Sequence, residues 1–89
     1  MEILKTAIDC HERQLNILKE MGDRLGEGRA YGSLGNEHSN LGDFETAMKY
    51  HELHLEISIE FANTLEEEKA FCNLGIAHQA LGDLKTAID

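Results

Sequence analysis

Proline and tryptophan are both missing from these 89 residues, and only five side chains are aromatic. Without proline nothing breaks a helix outright, and with so few aromatics the chain lacks the material of a strand-and-turn architecture; no β-sandwich pattern appears. Positive charge is also scarce. Eight basic residues face seventeen acidic ones, a net charge of −9, which excludes binding to nucleic acid through its phosphate backbone. Long apolar runs are absent and the first twenty residues carry charges throughout, so the sequence predicts neither a membrane span nor a secretory signal. The expectation is a cytoplasmic protein with no membrane partner. Cysteine is limited to Cys10 and Cys72, whose separation matches no zinc-ligand or redox spacing, and both read as reduced packing residues. A compact chain of this length buries only about 60–65% of its unfolded surface, so the core must be thin.

What the chain does have is internal repetition. Shifted over itself by forty places, the sequence is identical at 18 of 49 overlapping positions, against about three from background composition. The clearest copies are residues 30–47, AYGSLGNEHSNLGDFETA, and residues 70–87, AFCNLGIAHQALGDLKTA. A period of this length is the signature of stacked supersecondary units.

Apolar residues recur at three- and four-residue steps from Ile3 and Leu4 through Ala7, Ile8, Leu15 and Leu18, which predicts a helix over 2–21 closed by Gly22. Asp23 is placed to cap a second helix running to about residue 40, with Leu25, Ala30, Tyr31, Leu34 and His38 on its inner side. Gly42 and Asp43 repeat that punctuation before a third helix over 44–61, expected to bury Phe44, Ala47, Met48, Leu55 and Ile59. Asn63 or Thr64 then caps a fourth helix over 64–80. The Leu81-Gly82-Asp83 turn matches Leu41-Gly42-Asp43 residue for residue, so a fifth, truncated helix is predicted over 84–89.

Gly35 and Gly75 fall inside helices, where each costs up to about 1 kcal/mol relative to alanine. Close approach of the paired helix is the expected compensation, with Ala7, Ala47 and Ala87 as the small residues on the opposing side.

Leu34-Gly35, Gly42, Phe44 and Ala47, and again Leu74-Gly75, Gly82, Leu84 and Ala87, resemble the frame of the tetratricopeptide repeat. His38 and His78 stand at the usual aromatic position of its helix A, and His51 at that of helix B. The usual unit is shorter than forty residues, and phrases such as RAYGSLGNEHSNLGDFETAMKYHE and LEIS are similar to the arrays of Partner of Inscuteable-type scaffolds. The resemblance implies an all-α superhelical solenoid of about five helices: helix B at 2–21, a full unit at 24–61, helix A at 64–80 and the start of another helix B at 84–89. The phrase LKTAID occurs at both 4–9 and 84–89, which predicts an excerpt of a longer array.

In that family helix A lines the concave surface. The resemblance therefore implies a non-enzymatic scaffold binding extended peptides of protein partners, through Arg29, Asn36, Ser39, Asn40, Lys69 and Gln79, beside Gly32, Cys72, Ile76 and Ala80. Asparagine can hydrogen-bond a peptide backbone through both amide groups, and arginine can grip a carboxylate bidentately. The alternative reading is a structural element that self-associates into a homo-oligomer through its exposed terminal helices.

Other constellations carry less. His51 and His54 lie three apart, but HELH lacks the zincin spacing and no third ligand follows, so no metal and no cofactor is expected. The histidines read instead as packing residues in place of aromatics. Glu66-Glu67-Glu68 reads as a solvated run complementing a helix dipole. No Ser-His-Asp order, phosphate loop or carboxylate pair suggests catalysis.

Overall fold

The computed structural model describes the backbone of residues 2–88 and the side chains of residues 2–85. Four helices follow one another: α1 Glu2–Met21, α2 Arg24–Asn40, α3 Phe44–Glu60 and α4 Thr64–Ile88. No strand occurs among the described residues. α3 packs against both α2 and α4, whereas α1 packs on α2 alone. The extents, 45 × 32 × 15 Å, suit two layers of helices at the usual spacing of about 8–10 Å.

Three connections share one design. Gly22, Gly42 and Ala62 all adopt the left-handed backbone, with φ of 74°, 84° and 51°. Each donates its N–H to the carbonyl three residues back, and the next residue donates to the carbonyl five residues back, as in Asp43 to His38 at 2.9 Å. These paired bonds use the last free carbonyls of the ending helix. The residue that closes the bond then opens the next helix: Asp23 accepts from the Gly26 N–H at 2.9 Å, Asp43 from Thr46 at 3.3 Å and Asn63 from Glu66 at 3.2 Å. Of the two candidates, Asn63 and not Thr64 is the cap. The hydrogen bond from Thr46, the largest influence, holds the Asp43 carboxyl below its ordinary pKa. Ala62 occupies the place of Gly22 without glycine's freedom, at a cost of about 1–2 kcal/mol.

The fourth connection does not form. α4 continues as helix through Leu81, Gly82 and Asp83, so the described residues form four helices where five are expected: the predicted helix A at 64–80 and the start of helix B at 84–89 belong to one rod as far as Ile88, and Asp89 lies outside the described residues. The physical reason lies in what a turn would cost. Breaking the helix would forfeit several i→i−4 hydrogen bonds that the continuous helix keeps. In the straight helix Gly82 and Leu84 are exposed.

The core joins α1, α2 and α3 through Ile8, Leu15, Ala30, Tyr31, Leu34 and Ile57, with Leu18 and Tyr50 against it. Two sequence expectations need correction. Ile3 and Ile59 are exposed, at 86% and 55%. The buried face of α3 instead runs Ala47, His51, His54, Ile57 and Ser58, a stripe in which polar residues outnumber apolar ones three to two. The Ser58 hydroxyl donates to the His54 carbonyl at 2.7 Å, which satisfies it within its own helix.

That stripe meets glycines. A Cβ at Gly28 would lie 2.7 Å from Ile57 Cγ2, at Gly32 2.8 Å from His54 Nδ1, and at Gly35 2.6 Å from His51 Cε1. Close approach at Gly35 is thus real, but its partner is an imidazole ring and not Ala47: α2 yields space so that α3 can insert large side chains. Gly75 has nothing within 4 Å of the equivalent point and is exposed. Ala87, expected opposite it, lies outside the described side chains.

Candidate functional site

The first turn of α4 lies beside the middle of α2, and the space between them is a cleft of about 870 Å³. Asn63 fixes where α4 starts and so puts Glu66 on the cleft side. From α2 the cleft is lined by Arg29, Gly32, Ser33 and Asn36, and from α4 by Leu65, Glu66, Glu68, Lys69, Cys72 and Asn73, with His54 of α3 between them. Gly32 supplies no side chain, and the His54 ring fills that gap.

Glu66 stands at the centre of the charge. Its Oε2 lies 2.8 Å from His54 Nε2, while Oε1 lies 3.8 Å from both Arg29 Nε and Lys69 Nζ. The two cationic side chains are 61% and 58% exposed, and the Glu66 side chain only 12%. One carboxylate is thus anchored from below and faces two cations that keep most of their donors in solvent. The expectation that the acidic run is simply solvated fails for Glu66, although its place in the first turn also favours a negative charge. Sequence reasoning passed over this residue because its neighbours come from two other helices. A signal was present in the repeat: Glu66 stands where the preceding unit has Gly26.

Of the residues inferred by resemblance, Arg29, Asn36 and Lys69 line this one cleft, as do Gly32 and Cys72. Ser39 and Asn40 sit at the end of α2, half-buried and exposed, and Gln79 is exposed further along α4; none of the three lines the cleft. Ile76 is 65% exposed. Arg29 and Ser33 also border a smaller hollow of about 300 Å³ against Gln14 and Leu18 of α1.

The histidines divide by environment. His51 is 1% exposed and its Nδ1 has no partner. Burial, aided by neighbouring His54, pushes its pKa below the ordinary histidine value. His38 stacks on Tyr50 with centroids 5.4 Å apart, and Tyr50 stacks on Tyr31 at 6.0 Å, so His38 does stand in for an aromatic. His11 Nδ1 lies 3.0 Å from Glu37 Oε2 across the α1–α2 contact. His78, expected to pack likewise, is exposed. No three His, Cys, Asp or Glu side chains among the described residues come together as a metal site. Both cysteines are free and exposed, not packed inside, and no helix among the described residues is long and apolar enough to cross a membrane.

Comparison with known proteins agrees with this geometry. The tetratricopeptide repeat pattern matches residues 28–58, which cover most of α2 and α3. G-protein-signaling modulator 1 of Mus musculus and of Rattus norvegicus is 54% identical over 43 residues, 48% of this chain and 6% of the relative. The Homo sapiens protein of that name gives the same figures. The chain thus spans a small fraction of the length of these relatives. Residues 28–58 thus carry the tetratricopeptide-repeat pattern on the α2–α3 hairpin, and this is what the chain is similar to.

Proposed function

We propose that this chain is a non-enzymatic interaction scaffold whose α2–α4 surface holds an extended peptide segment of a protein partner in the cytoplasm. The observation that carries this reading is the cleft itself. It brings Arg29, Ser33, Asn36, Lys69 and Asn73 from two helices to one hollow, a set rich in donors suited to a peptide's carbonyls and polar side chains. The elements behind it are tied down by caps and by the buried α3 stripe, so the donors need little ordering on binding. The names of the similar proteins speak of G-protein signalling, and we place the scaffold in that setting as part of the proposal. Affinity in stacked repeats accumulates over units, so the test uses an array of four or more units including this one. Arg29→Ala with Asn36→Ala should weaken peptide binding by about tenfold, two polar contacts at about 0.5–1.5 kcal/mol each. Unchanged affinity by fluorescence anisotropy removes these residues from the groove.

A second reading, self-association, rests on the open side of α4. Phe71, Cys72, Gly75 and His78 are exposed, whereas their counterparts Tyr31, Gly32, Gly35 and His38 are buried or half-buried, with Gly32, Gly35 and His38 against α3. A helix of the α3 kind from a second copy would cover them. Sedimentation over a range of concentrations decides it, and a strict monomer at the highest one defeats it.

A further inference from the structure

The cleft already holds a carboxylate. Arg29 and Lys69 converge on one oxygen of Glu66, and the other oxygen is held 2.8 Å from His54, a side chain only 7% exposed. Arg29 and Lys69 would otherwise give the cleft a surplus of positive charge, with Glu68 the only other anion on its wall; Glu66 brings the sum to zero. Opposite charges held this close satisfy each other, and a third charge arriving at the same point meets like-charge repulsion from the resident one.

From this arrangement we infer that Glu66 is an internal occupant of the cleft, set there to exclude acidic side chains and to select a segment that is uncharged where it passes Arg29 and Lys69. The inference rests on the peptide-groove reading and names the class of segment that groove takes. Specificity of this kind works by making the wrong partner costly.

Three features separate this role from an incidental surface pair. Glu66 is 12% exposed in its side chain, unlike a freely solvated first-turn acid, and it is tied to α3 as well as to α2 and its own helix. It also belongs to this unit alone. The matching position is Gly26, where a Cβ would meet Asp23 Oδ2 at 2.6 Å and Leu18 Cδ2 at 2.9 Å, so the preceding unit has no room for the same side chain without rearrangement. Finally, His54, which holds Glu66 in place, is matched one unit earlier by Gln14, an exposed residue. The carboxylate and its anchor are both peculiar to the α2–α4 cleft.

The test uses the same array of four or more units that includes this one, with two fluorescein-labelled probes, a peptide of alternating serine and glutamate and its counterpart of serine and glutamine. The native array should bind the glutamine peptide more tightly. Glu66→Gln keeps the side chain's size and a hydrogen-bonding group for His54, and should tighten the glutamate peptide by about fivefold, the upper range for an exposed ion pair, while leaving the glutamine peptide within twofold. Glu66→Ser is the second variant, in case the amide perturbs folding, and should change the ratio of the two affinities in the same direction. Adding Lys69→Ala to either should remove the gain. If both peptides bind and their ratio is the same in the native array and both variants, Glu66 excludes nothing and the inference falls while the groove stands. If neither peptide binds any of the three proteins, the groove reading falls and takes the inference with it.

Discussion

α2 and α4 are copies of one helix in two situations. Ala30 and Ala70, Leu34 and Leu74, Gly35 and Gly75, Gly42 and Gly82, and Asp43 and Asp83 are the same residues forty apart. In α2, Ala30, Leu34 and Gly35 are buried between α1 and α3, and just beyond its end the exposed Gly42 turns the chain. In α4 only the side toward α3 is covered. Ala70 and Ala77 are buried there, Leu74 is half-buried, Gly75 is exposed and Gly82 stays helical. The turn at Ala62-Asn63 sharpens the contrast, because it forms with poorer residues than Gly82-Asp83 offers. Turn chemistry permits a reversal and does not compel one.

The strongest test of that contrast is to add a methyl group to each helical glycine. Gly35→Ala would drive a Cβ to 2.6 Å from a His51 ring that has no exposed space to retreat into. Overpacking of about 1–3 kcal/mol outweighs the propensity gain of up to about 1 kcal/mol, so the protein should lose stability in urea titration. Gly75→Ala meets nothing and should gain up to about 1 kcal/mol. Effects of the same sign at both positions would break the comparison.

A smaller effect is expected at the turn that forms in spite of its sequence. Ala62→Gly removes a left-handed alanine and should raise stability by about 1 kcal/mol, measured by the same titration. No gain would mean the turn tolerates alanine without strain.

The smallest effect is graded with pH. His51 is buried with its folded pKa depressed below 6.5 by burial and by His54, so at pH just under 6.5 the unfolded chain takes up a proton that the folded one refuses. Stability is therefore fully present above that pH and declines as pH falls toward the folded value. His51→Phe should flatten this part of the profile, while His78→Phe, at an exposed site, should leave it unchanged.

Much of the fold could be read from the sequence because its signals are local. Asp23, Asp43 and Asn63 cap helices through bonds only three residues long, and Gly22 and Gly42 need only their own φ. The fourth turn was misread for the complementary reason. Residues 81–83 carry the same local signal, but the helix runs on through them, because a signal that permits a turn does not compel it. The α3 interface was half legible: His51 could be read as an aromatic substitute, but not that its ring fills the space left by Gly35. The buried Ser58 and exposed Ile59 inverted the usual sorting by polarity, since Ser58 satisfies its hydroxyl on its own helix. Within the cleft, Arg29, Asn36 and Lys69 came from the resemblance, whereas Glu66 and His54 acquire their relation only when α3 and α4 are packed.

The connections also bear on mechanics. One residue ends the hydrogen bonding of α1, α2 and α3 in turn and begins that of the next helix, at Asp23, Asp43 and Asn63, twenty residues apart. Such joints hold no slack chain that could absorb a change of angle. A change of angle between neighbouring helices must therefore be taken up by slip between their packed faces and not by the joints themselves.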